Sequence, residues 1–178
     1  MTLPATELAA LGICLLAAAA WDAARRRIPN ALTAIVGALG LGVQGSHGGL
    51  WAALSGAVAG ILAIAVLYRP WLAGGIGGGD VKLAAAAAIW IGLSRQLVVF
   101  ALATALAGGV VAALCFALSG RTARRQIQAN LTSAAILREL PMIDRQPARQ
   151  LVPARVSVPY GAAVAAGAFL ALCGPWGR

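Results

Sequence analysis

The amino-acid sequence predicts an all-α, polytopic membrane protein with about six transmembrane helices. Sixty-one per cent of its 178 residues are hydrophobic, only 11% are charged, and the mean hydropathy is +0.85. A compact water-soluble domain cannot hide that much apolar surface from water. Because about 20 apolar residues are needed to cross a bilayer, the chain has room for about six crossings and little else. We therefore expect residues 1–178 to form a single transmembrane domain.

Six apolar stretches follow one another along the chain and supply the predicted helices. They span residues 3–21, 28–43, 50–67, 81–93, 97–118 and 158–176. The first is not preceded by basic residues, so we expect a retained helix rather than a secretory signal. The fourth is short for a full crossing at about 1.5 Å per residue, and we expect it to borrow length from the glycine-rich segment before it. Residues 44–49 predict a solvated loop that contains His47.

The basic residues are distributed unequally between the two predicted membrane faces. If the amino terminus lies outside, one face holds twelve Lys and Arg residues, whereas the other holds only Arg95 and Arg178. Cytoplasmic loops carry the excess of basic residues in membrane proteins, so the richer face is predicted to be cytoplasmic. The net charge of +9 then belongs to loops. Since the arginines do not line one soluble face, we do not expect nucleic-acid binding.

One long polar segment, residues 119–157, separates the fifth and sixth stretches. It contains seven Arg residues against Glu139 and Asp144. Ile127 and Leu131 recur at helical spacing, which is typical of an amphipathic helix on an anionic leaflet. This basic cytoplasmic loop is interpreted either as a solvated, lipid-facing segment or as a docking site for a partner.

Two of the five acidic side chains, Asp22 and Asp80, lie at the predicted cytoplasmic ends of apolar stretches. Desolvation makes an unpaired carboxylate costly there, so each acid requires an explanation. One explanation is that Asp22 pairs with nearby Arg25 or Arg26 and that Asp80 caps the amino end of the fourth helix. The other explanation is that the two carboxylates meet at one membrane face as an aspartic protease pair.

The segments next to the two aspartates constrain the backbone in different ways. Pro29 fixes the backbone at the entry to the second apolar stretch. The glycine-rich segment 73–79 lets the chain bend sharply before Asp80 and lets another backbone come close. A phosphate-binding loop is disfavoured because this segment lacks the Gly-Lys-Ser/Thr ending and does not follow a strand.

Three sequence elements, in this order and with this topology, resemble those of type IV prepilin peptidases. The elements are Asp22 followed after four residues by Arg27-Ile28-Pro29-Asn30, then Gly77-Gly78-Gly79-Asp80-Val81-Lys82-Leu83, and finally Val158-Pro159-Tyr160-Gly161-Ala162-Ala163. The small size and the lack of a cytosolic tetracysteine domain are similar to the minimal form that serves Flp-type (tight adherence) pili. The similarity spans residues 3–176.

The resemblance implies a polytopic aspartic endopeptidase that removes the short basic leader of prepilins at the cytoplasmic face of the bacterial inner membrane. By motif match, Asp22 and Asp80 are the expected catalytic pair. Two such carboxylates should share one proton, because like charges a few ångströms apart cannot both ionise cheaply. The residues expected to support the site or the substrate are Gly77, Gly78, Gly79, Pro29, Asn30, Lys82, Pro159 and Tyr160.

Two of these supporting residues have alternative interpretations. Lys82 is two residues from Asp80 on the predicted helix, so it should face elsewhere and extend to the lipid headgroups. Tyr160 is either an interfacial anchor or a wall of the substrate cleft.

No cofactor and no metal are expected, because the sequence contains no soluble cofactor-binding module and its three cysteines are widely spaced. The expected partners are the prepilin, membrane lipid and the pilus assembly machinery. Two other functions stay open. One is a small proton- or cation-coupled transporter, and the other is a non-catalytic pilus or secretion assembly subunit.

Overall fold

The computed structural model describes residues 4–25, 28–72, 76–118 and 160–174, which form five helices and no strand. The predicted basic loop, 119–157, lies outside the described residues. The helices are α1 (Ala5–Arg25), α2 (Asn30–Leu72), α3 (Gly78–Ile91), α4 (Arg95–Leu118) and α5 (Gly161–Cys173). The predicted all-helical fold is therefore confirmed.

The second helix is a hairpin of two arms rather than one straight rod. Gly49 has φ 64° and ψ −159°, a conformation open to glycine, and the chain reverses direction there. A Cβ at Gly45 would lie 4.0 Å from the Cβ of Ala53, which shows that the arms run side by side. The first arm is 30–48 and the second is 50–72, so α2 accounts for the second and third predicted stretches.

Helix length and hydropathy identify the parts of the chain able to cross a membrane. Among the described residues, α1, α2 and α4 are long and apolar enough, and α5 is a shorter apolar helix. Because α2 has two arms, the described residues contain six apolar helical segments. That all six cross the membrane stays a prediction. Helix α3 has 14 residues, begins within the glycine-rich segment, and is only about 21 Å long.

Helix α3 lies at the centre of the bundle. Its alanine-rich sequence has no polar face, which is typical of a helix buried all round. It packs mainly between the two arms of α2, and α5 covers part of its remaining surface. Gly56 and Gly60 of the second arm face Ile89, and a Cβ at Gly56 would lie 2.7 Å from the Ile89 carbonyl oxygen. These two glycines therefore serve packing within the chain.

The carboxyl end of α3 is held by polar side chains from both arms of α2. The Gln44 amide is 6% exposed and donates to the carbonyl oxygens of Ile89 and Trp90 at 3.3 and 3.1 Å. The Ser55 hydroxyl accepts a hydrogen bond from the Leu93 amide at 2.8 Å. Helix ends leave such backbone groups unpaired, so these contacts complete the end of α3. We call this end of the bundle the far end.

The prediction of a solvated loop at residues 44–49 is wrong. This segment continues the helix of the first arm as far as the turn at Gly49. His47 is exposed, as expected, but it lies on a helix, and its Nε2 lies 2.7 Å from Oε1 of Glu7 near the start of α1. The gap between two apolar stretches predicted a loop, but the helix of the first arm continues through this gap, and the chain turns at the single residue Gly49.

Candidate active site

Asp22 and Asp80 lie at the end of the bundle opposite the far end, and we call it the aspartate end. Asp22 is in the last turn of α1 and Asp80 in the first turn of α3. Their exposed fractions are 4% and 8%, so both carboxylates are buried. They are close enough for the negative charge of Asp22 to act on Asp80, and both α1 and α3 pack against α5. The fold brings together the two acids that the sequence paired.

Asp80 is held by the backbone of the first glycine in its motif. Gly77 caps the amino end of α3, and Asp80 is the third residue inside the helix. From there its carboxylate accepts a hydrogen bond from the Gly77 amide, as an acidic residue does in a capping box. A Cβ at Gly77 would lie 2.7 Å from Asp80 Oδ2, so only glycine leaves room for this carboxylate. The other oxygen, Oδ1, is buried and has no hydrogen-bond partner within the described residues.

The second and third glycines of the motif have different surroundings. A Cβ at Gly79 would lie 3.1 Å from the Cβ of Ile28 and 3.4 Å from its backbone nitrogen. The short connection before α2 therefore packs directly on the backbone of α3, as the glycine-rich segment predicted. Gly78 is exposed at the surface and lies beside the Trp71 indole. A Cβ at Gly78 would lie 3.2 Å from Trp71 Nε1.

Asp22 is held by a different helix. The Gly161 amide at the start of α5 donates to Asp22 Oδ2 at 3.3 Å, in a buried position. The amino end of a helix carries partial positive charge, which favours a carboxylate there. Gly161 belongs to the third sequence motif, but the sequence alone predicted no role for it. The signal was a glycine directly after Tyr160, at the point where the last apolar stretch begins.

Both aspartates thus cap helices, but the predicted arginine partner of Asp22 is wrong for Arg25. The Arg25 guanidinium lies 4.6 Å from the centre of the Trp21 ring. Within the described part of the chain, neither aspartate forms an ion pair. Capping engages Oδ2 of each carboxylate through one glycine amide. It does not explain why two carboxylates that interact electrostatically are both buried at one end of the bundle.

Pro29, Asn30 and Lys82 connect the first turns of α2 and α3. The Pro29 carbonyl accepts hydrogen bonds from the amides of Leu32 and Thr33, and so it begins α2. The exposed Lys82 ammonium, which was expected to extend to headgroups, donates to Asn30 Oδ1 at 2.8 Å. Sequence spacing could not predict this contact between residues 52 positions apart.

Tyr160 packs against the helix bundle, and whether it lines a substrate cleft or anchors the chain at the membrane interface stays a prediction. Its ring packs on α4, where a Cβ at Gly108 would lie 3.0 Å from Tyr160 Cε1. The residue is half-buried and close enough to Asp80 to interact with it electrostatically. Pro159 lies outside the described residues, so its predicted supporting role stays a prediction.

Aromatic and basic side chains surround the aspartate end. Trp21, Tyr68 and Trp71 are exposed there, and the last two rings lie 5.6 Å apart. Trp and Tyr concentrate where a membrane meets water. Exposed aromatic rings at this end are the pattern expected where a membrane-embedded chain meets water.

Comparison with known proteins gives one match. A sequence model of the type IV leader peptidase family matches residues 9–113, which is more than half of the chain. The matched range includes both Asp22 and Asp80. No curated protein and no solved structure shows significant similarity to the chain.

Proposed function

From the premise that the chain belongs to the type IV leader peptidase family, we propose that it is a membrane-embedded aspartic endopeptidase with Asp22 and Asp80 as its catalytic pair. The proposed reaction is cleavage of the leader peptide of type IV, Flp-like prepilins. The observation that carries the proposal is the burial of two electrostatically coupled carboxylates at one end of the bundle. Buried ionisable groups in membrane helices are costly and are usually functional.

The proposed chemistry is a direct attack by water. The pair holds one proton, because two adjacent buried carboxylates cannot both ionise cheaply. The ionised member takes a proton from water, which attacks the scissile carbonyl carbon, while the protonated member donates to the carbonyl oxygen. Collapse of this intermediate breaks the C–N bond, and the leaving nitrogen takes up a proton.

The hydrogen bonds of the two carboxylates are compatible with one ionised and one protonated member. One oxygen of each aspartate is fixed by a glycine amide, and the second oxygen can then face water and substrate. Asp80 Oδ1, buried and without a partner in the described residues, is such an oxygen. A buried acceptor without a partner costs about 1–3 kcal/mol, which is a reason to expect that it has a use.

The proposed location is the cytoplasmic face of the bacterial inner membrane. Arg25, Arg69 and Lys82 belong to the aspartate end, whereas Arg95 begins α4 at the far end. The twelve-to-two distribution of basic residues in the whole chain supports the same orientation. A prepilin helix lying in the membrane would then present its leader junction at the carboxylates, and lipid and the assembly machinery are the other proposed partners.

The test is co-expression with a candidate prepilin, followed by a size-shift measurement on the precursor. The wild type should convert the precursor, and Asp22→Asn and Asp80→Asn should each lower the cleavage rate on the order of 10³-fold or more. Glu7→Gln is the matched control, because Glu7 is an acid at the far end and its loss should leave cleavage intact. Cleavage by a folded Asp→Asn variant would instead favour a non-catalytic assembly subunit.

A proton- or cation-coupled transporter is less well supported. Transporters place coupling acids near the membrane midplane. Asp22 and Asp80 are instead in terminal turns of their helices. Uptake by vesicles containing the purified protein, lost in both Asn variants, would support the transporter over the peptidase.

A further inference from the structure

We infer that Gly161 is a positioning residue for Asp22, equivalent to Gly77 for Asp80, so that each carboxylate is fixed by a glycine at the amino end of a different helix. This inference rests on the proposed peptidase function and assigns a role to the third sequence motif. The family match ends at residue 113, so it does not include Gly161.

The contact between Gly161 and Asp22 leaves little space for a side chain. A Cβ at Gly161 would lie 3.3 Å from both the Cβ and Oδ2 of Asp22, and 3.5 Å from the Cα of Ala19. The Gly161 amide donates to that same Oδ2. A side chain at residue 161 would therefore push on the same carboxylate that the amide holds.

Helix α5 is itself held in place and cannot easily retreat from Asp22. It packs extensively on α4, where Gly167 fits against Thr104 so closely that a Cβ would overlap the Thr104 hydroxyl. At the start of the helix, the Tyr160 ring rests on Gly108. An added side chain at residue 161 is thus expected to move Asp22 by a few tenths of an ångström, rather than to move α5.

The two glycine contacts together give the pair its geometry. Gly77 fixes Asp80 from within α3, and Gly161 fixes Asp22 from α5, which packs against both α1 and α3. Helix α5 therefore sets the position of one carboxylate relative to the other. Catalytic groups need positions accurate to about 0.5 Å, so small displacements should slow the reaction.

The experiment measures kcat and KM for cleavage of a purified prepilin by Gly161→Ala and Gly161→Val. We expect kcat to fall about tenfold for Gly161→Ala and at least about 100-fold for Gly161→Val, with KM within about threefold of the wild type. The graded loss in kcat alone is the signature of a displaced catalytic group, because lost packing would lower the folded fraction instead.

Two glycines outside the site supply matched controls. Gly12→Ala lies on α1, the helix that carries Asp22, and adds a Cβ with no atom within 4 Å, so thermal stability and kcat should both stay at the wild-type values. Gly109→Ala adds a Cβ with no atom within 4 Å and should change neither quantity. If Gly161→Val does not fold, the milder Gly161→Ala decides the result.

The outcomes separate this inference from the proposed function. Unchanged kcat in both Gly161 variants, with an active wild type and inactive Asp→Asn variants, would overturn the role of Gly161 and leave the peptidase proposal intact. A wild type that cleaves no prepilin would instead overturn the peptidase proposal. A loss of kcat in Gly12→Ala as large as in Gly161→Ala would also count against Gly161, because the effect would then not depend on the contact with Asp22.

Discussion

The two ends of α3 bury polar groups to a similar degree but pair them differently. At the far end, Gln44 is 6% exposed, and its amide donates to two backbone carbonyls. At the aspartate end, Asp80 is 8% exposed, lies beside a second carboxylate, and has one oxygen without a partner in the described residues. Hydrogen-bonded polar groups stabilise a helix end, whereas a buried acceptor without a partner lowers stability.

This comparison separates the residues expected to stabilise the protein from those expected to carry its activity. The far end should control the free energy of unfolding with little effect on cleavage. The aspartate end should control cleavage with little cost, or even a gain, in stability. Substitutions at the two ends test this separation.

The largest effect is expected for Asp80→Asn. Cleavage should fall on the order of 10³-fold or more. The free energy of unfolding should stay equal to the wild type or rise by up to about 2 kcal/mol, because the neutral amide needs no proton to be buried near Asp22. SDS titration in mixed micelles gives the unfolding free energy, and the precursor size shift gives the cleavage rate. A clear loss of stability would mean that the Asp80 carboxylate is a structural group.

Gln44→Leu should have the opposite profile. The carbonyl oxygens of Ile89 and Trp90 would lose their donor inside the bundle, which should lower the free energy of unfolding by about 1–3 kcal/mol. Cleavage per folded molecule should stay within about threefold, because the site lies at the other end of α3. Ser46→Ala is a control at an exposed position nearby and should leave stability nearly unchanged. A loss of cleavage without a loss of stability would contradict the division between the ends.

Much of the fold was predictable from local properties of the sequence. Apolar stretches predicted the helices because the bilayer requires about 20 such residues for each crossing, and alanine-rich α3 is buried on all sides. The sequence did not predict that helix would continue up to the turn at the far end. Residues 44–49 are rich in glycine and polar groups, but helix continues to Gly49, and the His47 contact with Glu7 depends on how α1 packs.

The site was predictable in its acids but not in their supports. Two carboxylates at the ends of apolar stretches are rare enough to indicate a pair, and the glycine before Asp80 indicates a close approach. The Gly161 contact with Asp22 joins residues 139 positions apart, and the Lys82 contact with Asn30 joins residues 52 apart. Such contacts depend on helix packing, which neither periodicity nor spacing encodes.

The smallest effect is expected for Lys82→Met, which removes a hydrogen bond at the aspartate end but no carboxylate. The Lys82 contact with Asn30 joins the first turns of α3 and α2, but it is exposed, so its net contribution should be about 0.5 kcal/mol. We expect cleavage within about twofold of the wild type. Asn30→Ala should have the same small effect on stability, and the double variant should add nothing further, because both substitutions remove one bond. A large loss of cleavage in Lys82→Met at unchanged stability would place the ammonium in contact with the substrate, and the active part of the aspartate end would then extend beyond the two carboxylates and their glycines.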